Sequence, residues 1–247
     1  MNWSDLTLWT WVITIFCAVL IGMGKTGLSG TGMIIVPIMA ATYGGKLSTG
    51  IVLPMLCIAD LFAILYYHRH AEWKHIFKLM PWTIAGLLAA LLLGSDISDK
   101  NFKLLIGISI LISLVIMIWQ DYLKKTDEVP SSIWFSALFG FAAGSSTMIG
   151  NAAGPIMAIY LLSSRLPKNS FIGTGAWFFL IINYIKLPLQ IVFWKNITLH
   201  SLSLNLVMIP AIALGAFLGF KLVKIIPEKA YRIFILVSTA VSAIFMF

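Results

Sequence analysis

Apolar runs long enough to cross a lipid bilayer recur from one end of this chain to the other. Leu104 to Trp119 and Leu202 to Phe220 are two of them, both nearly free of charge. No stretch remains that would build a soluble domain of any size. Charged residues make up 11% of the chain, against about 25% in soluble domains. Inside hydrocarbon, backbone N–H and C=O groups must bond within the protein, and runs of this length do so as helices. The expected fold class is an all-α polytopic membrane protein.

Ten segments are expected, in two sets of five. The first set covers 6–22, 33–43, 48–67, 76–94 and 102–119; the second covers 131–144, 150–162, 169–193, 202–222 and 229–246. Segments 33–43 and 150–162 are too short to span alone, since a spanning helix needs about 20 residues. Each short segment follows a stretch rich in glycine and hydroxyls. The first stretch is Gly22-Met-Gly-Lys-Thr-Gly-Leu-Ser-Gly-Thr-Gly32, and the second is Gly140-Phe-Ala-Ala-Gly-Ser-Ser-Thr-Met-Ile-Gly150-Asn151. Each runs into Pro-Ile-Met-Ala, at Pro37 and at Pro155. A shift of 118 positions relates the two prolines, and also Gly22 to Gly140 and Gly32 to Gly150. A shift of 129 relates Pro81 and Gly86 to Pro210 and Gly215, so the second half carries an insertion near 169–193. The chain therefore divides into a first repeat at 1–119, a linker at 120–130 and a second repeat at 131–247. Five segments per repeat is an odd number, so the second repeat is expected to insert upside down relative to the first. Inverted repeats are a recurring transporter architecture, and paired breaks in corresponding places point to the binding site.

The net charge of +8 does not indicate nucleic-acid binding, because the cations lie in short loops between apolar runs. They instead set orientation through the positive-inside rule. With alternating sides and the 68–78 loop in the cytoplasm, eleven Lys and Arg residues fall inside, among them Arg69, Lys74, Lys124 and Arg165. Four fall outside: Lys46, Lys100, Lys103 and Lys195. Both termini are then expected on the non-cytoplasmic side of an inner (plasma) membrane. Met1-Asn-Trp-Ser-Asp-Leu6 has no positive n-region, so a cleaved signal peptide is not expected. Cys17 and Cys57 lie in apolar segments and read as core filling.

The two breaks carry the chemistry. Irregular backbone at membrane depth is tolerated where it lines a wet cavity or is buried in protein. Glycine lets the backbone approach a ligand, and a helix starting at the break presents unpaired N–H groups and a positive dipole end to an anion. Gly27, Gly30 and Gly32 supply that backbone. Thr26, Ser29 and Thr31 from one break, and Ser145, Ser146, Thr147 and Asn151 from the other, add side-chain donors. The plainer reading of these hydroxyls is helix packing through small residues; their clustering at both breaks favours a site. Lys25 is the charge within the breaks, and an ionisable group at membrane depth is a functional hypothesis by default. Its plainer role is to reach toward an interface from a helix end.

Two more polar centres lie in apolar segments: Asp60, and Lys186 with Asn183 ahead of it and Pro188 behind it. Asp60 and Lys186 can pair with one another. Alternatively, Lys186 neutralises a bound anion and Asp60 carries a coupling proton. His68, Arg69, His70, Glu72 and His75 cluster beside Tyr66, Tyr67 and Trp73, as interfacial residues do regardless of function; no ligand spacing there marks a metal site. The Gly22–Gly32 stretch is not a phosphate loop, since it lacks the Gly-Lys-Ser/Thr ending and follows no strand.

At Gly24-Lys25-Thr26-Gly27 through Gly32 and Pro37, at Gly140 to Pro155, and at Asn183-x-x-Lys186, the chain resembles the TauE/SafE family of membrane permeases. The resemblance covers essentially the whole chain. It implies movement of sulfite, sulfoacetate or other sulfur-containing or organic anions. The second copy departs from the first in having Ala143 where the first has Lys25. The expected function is a permease for a small sulfur-containing or organic anion such as sulfite, thiosulfate or a sulfonate, held between the repeats and moved by alternating access. A passive anion channel would use the same residues. An intramembrane enzyme needs a nucleophile–base pair or metal ligands, and none stands out; a subunit of a larger complex is a further rival. No cofactor is expected.

Overall fold

The computed structural model describes residues 7–28, 32–94, 133–164 and 166–227, with isolated positions 108, 230, 233 and 237. The segment expected at 102–119 apart from Ile108, most of that at 229–246, the 120–130 linker and both chain ends lie outside the described residues. So do Ser29, Gly30 and Thr31.

Every described element is helical. In chain order they are α1 (Leu8–Thr26), α2 (Gly32–Tyr43), α3 (Gly45–Tyr67), α4 (Trp73–Gly94), α5 (Ile133–Gly150), α6 (Gly154–Ser163), α7 (Lys168–Leu189), α8 (Leu199–Val207) and α9 (Ile209–Ile225). Five helices among them are long and apolar enough to cross a membrane. A sixth crossing is available if α8 and α9, which meet at 48°, form one broken span. The expected single segment 202–222 is thus bent. Pro210 sits at the bend, in the first turn of α9, where its missing N–H is harmless. Pro188 lies near the end of α7, which runs on into a π turn at Gln190–Trp194.

The glycine-rich stretches are mostly helix, which corrects the expected boundaries. α1 continues through Gly22, Gly24 and Lys25 to Thr26, and α5 continues through Gly144 to Gly150. The interruption before α6 shrinks to Asn151–Ala153. Most glycines here serve close packing rather than turning. A Cβ at Gly22 would collide with the Ile212 carbonyl oxygen, and one at Gly215 with that of Val19. On the other side, a Cβ at Gly144 would collide with the Thr83 carbonyl and one at Gly86 with that of Phe141. Helix α1 therefore lies backbone-to-backbone along α9, and α5 lies in the same way along α4. Dispersion at such close approach holds helices together where water-driven burial is absent.

α3 and α7 cross the centre antiparallel. Gly50 near the start of α3 meets the Asn196 backbone just beyond α7, and Gly173 near the start of α7 meets Tyr67 at the end of α3 and His70 just beyond it. The short helices are tied to the long helix preceding each. Tyr43 at the end of α2 bonds Thr14 of α1 at 2.5 Å, and Tyr160 of α6 bonds Ser136 of α5. Cys17 and Cys57 are buried free thiols. Large apolar side chains such as Leu8, Leu92, Trp134 and Leu199 point outward, the pattern of a surface solvated by lipid rather than water.

Candidate functional site

Helix α5 ends because Asn151 adopts a left-handed backbone, φ 55°. Asparagine enters that region at lower cost than other side-chain-bearing residues. The turn is closed by the Asn151 N–H donating to Thr147 O at 3.0 Å and the Ala152 N–H to Ser146 O at 3.3 Å. This turn aims the Asn151 side chain at Lys186 in the last turn of α7. Its Oδ1 accepts from Lys186 Nζ at 2.5 Å, and its Nδ2 donates to Thr49 O on α3 at 3.2 Å. Lys186 Nζ also donates to Thr147 Oγ1 at 3.1 Å. Lys186 is fully buried. Among the described residues no carboxylate pairs with it; both acceptors are neutral. A buried ammonium in that condition favours a nearby anion, because neutral acceptors offset only part of its lost hydration.

Asp60 of α3 pairs instead with Lys25 of α1, Nζ to Oδ1 at 2.8 Å. Its second oxygen, Oδ2, accepts from Asn183 Nδ2 at 2.7 Å. The Lys25 ammonium lies 4.0 Å from the centroid of the Phe179 ring, a cation–π contact that holds it from a second side. The two partners are unequal in exposure. The Asp60 side chain is sealed at 0%, whereas that of Lys25 is 14% exposed.

That exposure faces a cavity of about 100 Å³ bounded by α1, α2, α3, α5, α6 and α7. Its polar wall consists of Lys25, Thr147, Asn151 and Asn183, with Gly24 and Gly154 alongside. The rest of its lining is mostly apolar, including Ile35, Val36, Leu56, Met157 and Phe171. Gly154 opens α6, and a Cβ there would meet nothing within 4 Å, so the start of α6 fronts open space. Thr147 accepts from Lys186, which leaves its hydroxyl proton free to point elsewhere. Lys186 itself does not line the cavity; it stands behind Thr147 and Asn151.

The sequence-derived candidates thus separate. Lys25, Thr147, Asn151 and Asn183 come together around one cavity, with Asp60 and Lys186 directly behind them. Thr26, Gly27 and Ser145 turn away from it. The Thr26 hydroxyl donates to Gly22 O and Ala216 O, each at 2.9 Å, and Gly27 packs on Gly219 and Val223. Ser145 Oγ donates to Phe141 O at 2.9 Å and to Gly86 O at 3.2 Å. These three serve the α1–α9 and α5–α4 seams, and the physical reason is that both stretches stay helical and present alternate faces. Ser146 is buried, and its hydroxyl has no partner among the described residues. Gly32 opens α2. Phe179 and Gly154 were not singled out from sequence. An aromatic in an apolar helix carries no distinguishing pattern, while Gly154, directly before Pro155, was legible as a helix start.

His68 and His70 lie on the exposed turn after α3, whereas His75 Nδ1 is 3.2 Å from the Tyr160 hydroxyl. This places the histidines at one end of the bundle, away from the cavity.

The chain matches the family model described as Sulfite exporter TauE/SafE over residues 14–246. No curated protein and no solved structure matches it. The match spans nearly the whole sequence and both glycine-rich stretches. The chain belongs to the TauE/SafE sulfite exporter family and is a multi-pass membrane transporter, not an enzyme.

Proposed function

We propose that this transporter moves a small sulfur-containing or organic anion, bound at Lys25 in the cavity between α1, α3, α6 and α7. The observation that carries this reading is an ammonium reaching into an otherwise largely apolar chamber at the centre of a membrane bundle. Thr147, Asn151 and Asn183 line the same chamber, so hydroxyl and amide groups would join the ammonium around the anion. Sulfite or thiosulfate would use that polar end alone. A sulfonate or carboxylate would also lay its hydrocarbon part against Ile35, Val36, Leu56 and Phe171. The start of α6, and that of α2, would add backbone N–H groups and positive dipole ends.

The two repeats, inserted in opposite senses, would move by alternating access around this site. The paired packing supports the repeat. The α1–α9 contact at Gly22, Ile212 and Ala216 has a counterpart in the α5–α4 contact at Gly144, Thr83 and Leu87. Thr83 and Leu87 correspond to Ile212 and Ala216 at the same shift of 129 positions that relates Pro81 to Pro210. In this register Gly22 corresponds to Gly144, one helical turn from the Gly140 suggested by sequence alone.

The test is uptake of labelled sulfite into liposomes holding the purified protein. Lys25→Ala is expected to lower the initial rate by about ten- to a hundredfold, the worth of one charge-assisted contact, while eluting as the same species as wild type. Lys25→Arg is expected to keep part of the activity. A wild-type rate for Lys25→Ala would contradict the site.

A further inference from the structure

Asp60 occupies the ammonium that an incoming anion requires. Its Oδ1 sits 2.8 Å from Lys25 Nζ, and its side chain is sealed from the cavity that Lys25 enters. The carboxylate is in effect a tethered anion already bound to the site. Resting on Lys25 as the ligand of the transported anion, we infer that the anion displaces Asp60 from Lys25 only as Asp60 takes up a proton, so anion and proton bind and move together.

The argument is one of charge held in a poorly solvated place. Lys186 stands behind Thr147 and Asn151, with its ammonium turned to those two neutral acceptors, so an anion added alone would set two negative groups against the one ammonium that enters the cavity, and like charges at such range destabilise each other strongly where water is excluded. Adding an anion and a proton leaves the net charge of the site unchanged. The proton comes from water and resides on an Asp60 oxygen; the Lys25 ammonium keeps all its own protons and exchanges one oxygen partner for another. The surroundings suit both states. Asn183 Nδ2 holds Oδ2 at 2.7 Å, which fixes the carboxyl whether or not Oδ1 is protonated. The Phe179 ring, 4.0 Å from Lys25 Nζ, keeps the ammonium in place while its partner changes. The charged and titratable groups that face Asp60 are Lys25 from α1, Lys186 and Tyr184 from α7, and Cys57 on its own helix. Among the described residues no second carboxylate faces it, so Asp60 is the acid there that can respond to the anion.

Linkage makes the prediction quantitative, because proton and anion must strengthen each other's binding by the same factor. The probe is methanesulfonate, whose own charge is constant over the working pH range. Its affinity for the wild-type protein is expected to rise as pH falls, by about tenfold per unit while one proton is taken up. Infrared difference spectra are expected to gain a protonated-carboxyl C=O band on binding, missing in Asp60→Asn. In Asp60→Asn the competitor is gone: binding is expected to be tight at high pH and flat across the range. A proton gradient should then accelerate methanesulfonate uptake by wild type and not by the variant. Binding to wild type with no pH slope and no new carboxyl band would overturn the coupling and leave the Lys25 site standing. Undiminished binding to Lys25→Ala would overturn the site, and the coupling with it.

Discussion

Asn151 shows how one residue can serve backbone and site together. Its left-handed φ of 55° ends α5, and the same turn delivers its amide oxygen to Lys186 and its amide nitrogen to Thr49. Asn151→Asp should therefore separate stability from function. Aspartate also tolerates this backbone and would give the buried Lys186 ammonium a carboxylate partner. The variant is expected to stay folded in detergent, the new pairing with Lys186 offsetting the lost amide bond to Thr49 O, while losing sulfite uptake by about tenfold or more, because a negative charge now lines the cavity. Unimpaired uptake would show that this wall does not face the anion. Lys25, Asp60, Asn183 and Lys186 were legible in the sequence because ionisable and amide groups are conspicuous in apolar segments. Their partners were not. Whether Asp60 pairs with Lys25 or Lys186 depends on how α1 and α7 are rotated about α3, and no local pattern records that rotation.

At the scale of elements, α3, α4 and α7 were legible to within a few residues, whereas α1 and α5 run four and six residues past the ends expected at their glycines. The positions of α3 and α4 follow the apolar runs expected at 48–67 and 76–94. The role of the glycines was harder to read. Gly22, Gly144, Gly86 and Gly215 mark places where another backbone comes too close for a side chain. A glycine needed for approach and one needed for a turn look alike in sequence. Substitution distinguishes them. Gly144→Leu is expected to destabilise the bundle by about 3 kcal/mol or to prevent its assembly, since the Thr83 carbonyl has nowhere to go. Gly154→Ala meets open space and is expected to change stability by less than about 0.5 kcal/mol. Thermal unfolding of both variants in the same detergent checks the pair; equal losses would contradict the packing described here. The bend between α8 and α9 was likewise written at Pro210, but its matching residue Pro81 lies within the continuous helix α4. Proline alone did not decide the outcome.

For the whole molecule, two helix seams, α1 with α9 and α5 with α4, flank a central antiparallel pair, α3 and α7, whose middle carries Asp60 and Asn183. The central pair is held at both ends. Asn196 Nδ2 donates to Lys46 O and Thr49 Oγ1 at 2.9 and 3.0 Å, and the Glu72 N–H donates to Thr174 Oγ1 at 2.9 Å. A transporter that rocks one repeat against the other would have to release these contacts in turn, one end for each side of the membrane. Under that reading the anion never leaves the middle of the α3–α7 pair while access changes around it.

The most direct test is to locate the anion. Selenite has the shape and charge of sulfite, and its selenium can be found by anomalous diffraction from crystals of the protein soaked with it. A selenium peak is expected in the cavity within hydrogen-bond reach of Lys25 Nζ, beside Thr147 and Asn151. A site elsewhere in the bundle, with this cavity empty, would contradict it.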